Sequence, residues 1–375
     1  VNCFLNAEDR SKGIAPGTRS EQLFDYAGIE ESPKYLTHTA NVLLLGSSLF
    51  LHPEWSVDRT IPITEPWGKT TIISESHYHL AQGLENELAK EGFEPPHVYN
   101  LAAGGALISD AYLLLFHYLH RHHKPSVVVL DCAPRSFNDT GVNEPAATPV
   151  FDCCFQIQDF AELHKDYLKD TNAKANYVLS KVFFLYHHRK WLSESAQECL
   201  VQPIIDAAQV TQSKTPTKIA QQRAKLSVPN RMEQVPTRET TKESLRMANS
   251  LQEYKDRYKW MTRYALGPQL RFLERIEELC ADKQIKLIIV NMPLSKENRK
   301  LLLEGFYDSY RADVAKTVRS PAVFIDLALS EDWPASCYHD SVHLNERGGA
   351  RLNKVIANAI MQGAWQAHSD TTQSQ

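Results

Sequence analysis

The chain has 375 residues, 43% hydrophobic and 23% charged, with a formal net charge of −4. That is the make-up of a globular protein long enough for one large α/β domain with an insertion or for two domains, and it carries no basic footprint for nucleic acid. No apolar run reaches the ~18 residues of a membrane span; the chain starts at Val1 rather than Met, which fits a trimmed or mature form with an upstream anchor. The seven cysteines, 3, 132, 153, 154, 199, 280 and 337, include no Cys-x-x-Cys pair, so neither a zinc site nor a redox motif is signalled. No metal and no cofactor is expected.

After about 35 polar, irregular residues the run 42–45 is short, apolar and ends at Gly46, which predicts a buried strand. Gly46-Ser47-Ser48 then forms a turn, followed by an irregular, proline-containing stretch with Trp55 and Trp67. Apolar spacing predicts a helix over 74–91, a second strand over 97–101, a turn at Gly104-Gly105 and a helix over 106–120. A third strand over 126–131 ends in polar groups: Asp131, Arg135, Asn138 and Asp139. The stretch 139–267 breaks the alternation. It holds helical segments around a Gln-, Lys-, Thr- and Pro-rich loop at 211–238, and reads as a helical insertion or cap. Helix 270–283, strand 286–291, helix 297–318, strand 322–327 and helix 348–362 complete the order, with a polar, disordered tail over 369–375. Apolar strands alternating with helices predict one domain, 1–375. Its fold class is α/β: a three-layer α/β/α, flavodoxin-like fold with a parallel five-stranded sheet, its site at the carboxyl ends of the strands.

Two segments from opposite ends of the chain complement each other chemically. Ser47 and Ser48 stand at the tip of the first strand, and Asp340-Ser341-Val342-His343 stands just before the last helix. A serine hydroxyl becomes a useful nucleophile when a histidine takes its proton, and the histidine needs a carboxylate to hold its tautomer. Asp-x-x-His lets the carboxylate fold back onto the imidazole. Each motif alone is also an ordinary turn: Asp340 or Asn345 can simply cap a helix, and Arg135 can simply pair with Asp131 or Asp139. Of the histidines, 117, 120, 122 and 123 sit near a helix end without an interleaved acid, which suits the helix dipole better than a metal.

Taken together, Gly46-x-Ser48, Gly105, the polar third-strand loop and Asp340-x-x-His343 resemble the SGNH (GDSL-like) hydrolase superfamily. The Gly-Ser-Ser form looks like the branch of D-alanyl-transfer-protein-like and other bacterial extracytoplasmic SGNH-type proteins. The resemblance covers the strands and their loops but not 139–267. It implies a triad of Ser48, His343 and Asp340, and an oxyanion hole from the amides of Ser48 and Gly105. It also implies a serine esterase or O-acyltransferase acting on a cell-envelope or extracellular carbohydrate. The partners implied are an acyl donor, a carbohydrate acceptor and a membrane-bound acyl-transfer partner, in an extracytoplasmic setting. The chain departs from the family in lacking Gly-x-Asn-Asp on the third strand. The third oxyanion donor is then Arg135, Asn138 or none, and the departure keeps a second reading open, a catalytically inactive glycan-binding or assembly protein on the same scaffold.

Overall fold

The computed structural model describes residues 41–60, 79–93, 96–121, 124–139, 144–182, 242–259, 261–329 and 333–372. The expectations for the polar N-terminal stretch, Trp67, residues 74–78, nearly all of 181–192, the loop 211–238 and residues 373–375 lie outside these. The elements in chain order are β1 (Val42–Leu45), α1 (Ser48–Asp58), α2 (Gln82–Lys90), β2 (Val98–Asn100), α3 (Ile108–Arg121), β3 (Val127–Cys132) and α4 (Pro134–Phe137). Next come α5 (Pro149–Cys154), α6 (Phe160–Tyr167), α7 (Thr171–Val182), α8 (Lys242–Arg257) and α9 (Gly267–Asp282). The last are β4 (Lys286–Asn291), α10 (Lys296–Arg299), α11 (Phe306–Thr317), β5 (Val323–Asp326) and α12 (Glu346–Thr372).

Among the described residues the chain divides into two compact units, one of them 156–182 and the other carrying everything else. In the smaller unit Asp159 accepts from the Gln156 amide at 2.6 Å at the start of α6, and Phe160 stacks on Tyr177 of α7 with centroids 5.9 Å apart. The larger unit holds a five-stranded, all-parallel sheet in the order β2-β1-β3-β4-β5. β1 and β3 are buried along their whole length, as central strands covered on both faces must be. Helices α1, α2 and α12 pack together as one layer, and α3, α9 and α11 as the other, giving a three-layer α/β/α fold. In this strand order the chain reverses its winding between β1 and β3. Their carboxyl ends therefore open the crevice where sites of such folds lie.

The five expected strands are present, two with the expected bounds and three differing by one residue at both ends. Several expectations for the helices need correction. The helix expected over 74–91 begins only at Gln82, with 79–81 outside it. The stretch after Ser48 is not irregular: it is α1, with Pro53 inside it. An internal proline costs a helix about 3 kcal/mol; here burial of Leu49, Phe50, Leu51 and Val57 offsets it. The helix expected over 297–318 is two pieces, α10 and α11, parted at Gly305 with φ +71°. The final helix runs on through Thr372, into the tail expected to be disordered. The helical insertion 139–267 is not one block, since 139–155 and 242–267 belong to the sheet-bearing unit. Among the described residues no helix is long and apolar enough to cross a membrane.

Candidate functional site: a serine, histidine and aspartate at the carboxyl edge of the sheet

β1 runs into Gly46, and the chain turns there into α1. Ser47 is the N-cap, its Oγ accepting from the Leu49 amide at 3.3 Å. Ser48 is the first helical residue. The first amides of a helix have no partner within it, and among the described residues the Ser48 amide makes no hydrogen bond. One strand over, the fully buried Asp131 of β3 accepts from the Ser47 amide at 2.9 Å and from Ser47 Oγ at 3.3 Å. Gly46 has φ +138°, and a Cβ on it would stand 2.6 Å from Asp131 Oδ2 and nearer still to Cγ. Only glycine allows that carboxylate to lie under the turn. Burial pushes the Asp131 carboxyl up to about 7, with the Ser47 hydrogen bonds, the Phe50 amide and the Arg135 charge pulling the other way.

The second half comes from the other end of the chain. Tyr338 and Leu344 form an isolated antiparallel bridge, and the His339 amide donates to the His343 carbonyl at 2.8 Å. Inside that loop Asp340 Oδ1 accepts from the amides of Val342 and His343, both at 2.9 Å, and Oδ2 faces His343 Nδ1 at 2.8 Å. Burial works against charge on Asp340, but the His343 side chain and the two amides outweigh it and hold the carboxyl well below the usual range. Asp340 is therefore an anion at neutral pH. His343 Nε2 lies 2.8 Å from Ser48 Oγ. An ionised Asp340 next to Nδ1 favours the tautomer with its proton there, which leaves the Nε2 lone pair to accept from Ser48 O–H.

Further contacts hold this loop against the helices around it. Asn345 Oδ1 accepts from the amides of Arg347 and Gly348 at the start of α12, while its Nδ2 donates to the carbonyls of Ser336 and Tyr338. A Cβ on Gly348 would collide with the Cys337 carbonyl, and one on Gly349 would stand 2.7 Å from the Pro53 carbonyl. The paired glycines thus let α12 lie close to both the loop and α1. From below, the buried Ser341 Oγ is 2.6 Å from Ser250 Oγ of α8 and accepts from Asn298 Nδ2 at 3.1 Å, with Tyr258 donating to Asn298 Oδ1 at 3.0 Å. Sequence reasoning missed Ser250, Asn298 and Ser341. Each is a lone polar residue whose role appears only when α8 and α10 reach the same loop.

The Gly105 turn is tied to the Gly46–Ser48 turn by the Ala103 amide, which donates to the Gly46 carbonyl at 2.9 Å. Gly105 has φ +75°, and among the described residues its amide, like that of Ser48, has no acceptor. Arg135 donates through Nη2 to the Gly105 carbonyl at 2.9 Å and through Nε to Asp139 at 3.1 Å. Asp139 also takes Arg257 of α8 at 2.5 Å. Of the two acids expected as partners for Arg135, the structure selects Asp139. Asp131 is taken by Ser47. The buried guanidinium braces the Gly105 turn, rather than aiming all its donors at a reacting oxygen. Asn138 Nδ2 is buried, with no acceptor among the described residues. Trp55 lies two turns along α1 from Ser48, and His52 stands between them, its ring 5.4 Å from His343 and 5.7 Å from Trp55.

Arg135→Ala is expected to cost about 3 kcal/mol, the range for breaking a buried ion pair, because it removes one of the two cations on Asp139. It also frees the Gly105 carbonyl. Urea denaturation checks the first effect. A fall in any Ser48 reactivity that Arg135→Lys restores only in part would report the second, since lysine keeps the charge and loses the fork.

A family model described as "Protein of unknown function (DUF1574)" matches residues 76–353, well over half of the chain. The match includes Gly105, Arg135, Asp340 and His343; Ser48 precedes it. No curated protein matches the chain.

Proposed function

The chain belongs to the DUF1574 family, and from the geometry of its site we propose that it carries out serine-dependent acyl-ester chemistry of the SGNH type. The observation that carries this is the relay from Ser48 Oγ to His343 Nε2 at 2.8 Å and from His343 Nδ1 to Asp340 at 2.8 Å. Residues 295 positions apart in the chain meet there at the distance proton transfer needs. Ser48 Oγ attacks the acyl carbonyl carbon as its proton passes to His343 Nε2. The tetrahedral intermediate collapses, the bond to the leaving oxygen breaks, and His343 returns the proton to that oxygen. A second hydroxyl, from water or a sugar, then gives its proton to His343 and takes the acyl group, and His343 returns that proton to Ser48 Oγ as the acyl–oxygen bond breaks. The uncommitted amides of Ser48 and Gly105 are the oxyanion donors, where losing one donor costs about 100- to 1,000-fold. Asn138, with its unspent Nδ2, is the third.

The acceptor in this reading is a carbohydrate of the cell envelope, reached with an acyl donor or a membrane-bound acyl-transfer partner on the extracytoplasmic side. Trp55, half-buried, supports a ring-binding acceptor side, because it continues the Ser48 face of α1 at i+7, with the buried His52 packed between at i+4. The test is a fluorophosphonate probe read by intact mass. One adduct is expected at Ser48 and none in Ser48→Ala. A chromogenic acetyl ester then separates the two outcomes of acylation. Turnover in water alone at roughly 1–1,000 per second makes the protein a hydrolase, and turnover that waits for added carbohydrate makes it a transferase. A folded protein that takes no label would be a non-catalytic scaffold.

A further inference from the structure

Asp131 is buried, ionisable and outside the triad, yet it touches the turn that carries Ser48. Its carboxylate accepts from the Ser47 amide at 2.9 Å, and Ser47 Oγ lies 3.3 and 3.4 Å from its two oxygens. The same Ser47 Oγ caps α1 through the Leu49 amide. The chain makes room for this carboxyl with a glycine at φ +138°. A buried acid costs free energy unless its hydrogen bonds return it, and all those seen here end on the first turn of α1.

We propose that Asp131 is a positioning residue for Ser48: as a carboxylate it fixes Ser47 and the first turn of α1, and on protonation it loosens that turn and draws Ser48 out of reach of His343. This rests on Ser48 being the nucleophile. An ionised carboxylate accepts from both Ser47 donors at once, and charge-assisted bonds are about twice as strong as neutral ones. A protonated one must place its own O–H. The acceptor at hand is Ser47 Oγ, which has a second lone pair beside the one the Leu49 amide uses. Ser47's own O–H then loses Asp131 as its acceptor, and Ser47 is buried, so protonation weakens the bonds on the turn and strands a donor there.

The groups facing Asp131 do not remove this cost. Arg135 of α4 is the charged group that favours the anion, and it is shared with Asp139 and the Gly105 carbonyl. From α1 come the Ser47 donors and the Phe50 amide. Cys132, next in β3, is a buried thiol that burial pushes up and that Asp326 of β5 also disfavours as an anion. On β4 the partner in register is the apolar Val290. With its carboxyl up at about 7, Asp131 exchanges its proton within the range where the protein is assayed.

The measurement is the second-order rate of fluorophosphonate labelling at Ser48 across the acid limb of the pH profile. Two groups must then be deprotonated, the base His343 and the positioning Asp131, so log rate should rise with a limiting slope of about 2. Asp131→Asn keeps the shape and removes one ionisation, and its slope should fall to about 1. Ser47→Ala removes a hydrogen bond that favours the carboxylate, so it should keep the slope near 2 and move the limb to higher pH. A merely structural Asp131 would lower the amplitude in both variants and leave the shape of the profile alone. A wild-type slope of about 1, or an Asp131→Asn profile that superimposes on wild type after scaling, overturns the proposal. Should Asp131→Asn not fold, the wild-type slope and the Ser47→Ala shift decide it. Labelling of Ser48 that is as fast in His343→Ala as in wild type would instead overturn the triad, and this proposal with it.

Discussion

Replacing His343 with alanine is expected to slow acylation of Ser48 by about 10⁴- to 10⁶-fold while the protein stays folded, the range seen when one member of a serine–histidine pair is removed. The size follows from the geometry. Ser48 Oγ has Nε2 at 2.8 Å, and an alkoxide without that base is far too costly to form near neutral pH. Fold should survive because Asp340 still accepts from two amides and Ser341 still holds α8. The measurements are labelling rate, near- and far-ultraviolet circular dichroism, and recovery by added imidazole. A purely structural His343 would not be rescued by imidazole. Asp340→Asn is the companion variant. Its Oδ1 can still take both amides, but its amide group would face Nδ1 and favour the wrong tautomer, with a loss of about 10⁴ in rate. A His343→Ala protein that labels within tenfold of wild type would end the triad reading.

Gly46→Ala is expected to be severely destabilising. The added Cβ falls within 2.6 Å of Asp131 Oδ2, and the backbone is already at φ +138°, a region costly for any residue with a side chain. The carboxylate cannot swing away without leaving the Ser47 amide. We expect a loss of about 4–5 kcal/mol, the upper end for point changes, together with loss of Ser48 labelling in whatever remains folded. Gly92→Ala is the control: its φ is +84°, but nothing lies within 4 Å of the added methyl, so it should cost about 1 kcal/mol. Urea denaturation of both, with Gly46→Ala/Asp131→Ala added, completes the test. If the clash with the carboxylate is the cause, the double variant should be more stable than Gly46→Ala alone. Equal losses at the two glycines would show that φ, and not the approach of Asp131, sets the cost.

The chain's local chemistry made some elements plain before any fold was known. Runs such as 42–45 and 286–291 read as buried strands because unbroken apolar, β-branched sequence has no other stable use at that length. The Asp340–His343 spacing was legible too, since a three-residue reach is a property of the local chain. α1 was not. Pro53 argues against a helix locally, and only packing on the sheet and on α12 overrules it. The break at Gly305 was missed for the opposite reason, because one glycine inside a periodic stretch does not announce φ +71°.

The same division runs through the candidate site. That a serine at the tip of β1 suits the Asp340–His343 pair follows from residue type and spacing, while the choice of Ser48 over Ser47 comes from the resemblance to the SGNH superfamily. Which carboxylate serves which partner follows from neither. Asp131, Asp139 and Arg135 lie within nine residues of one another, and local pairing rules allow either acid to take the arginine. β1 and β3 run side by side in register, Leu45 opposite Leu130, so Asp131 comes level with Gly46. It goes to the Ser47 turn, and Asp139 is left to Arg135 and Arg257. Burial then makes these choices exclusive, since an acid out of water must take the donors its strand neighbours present.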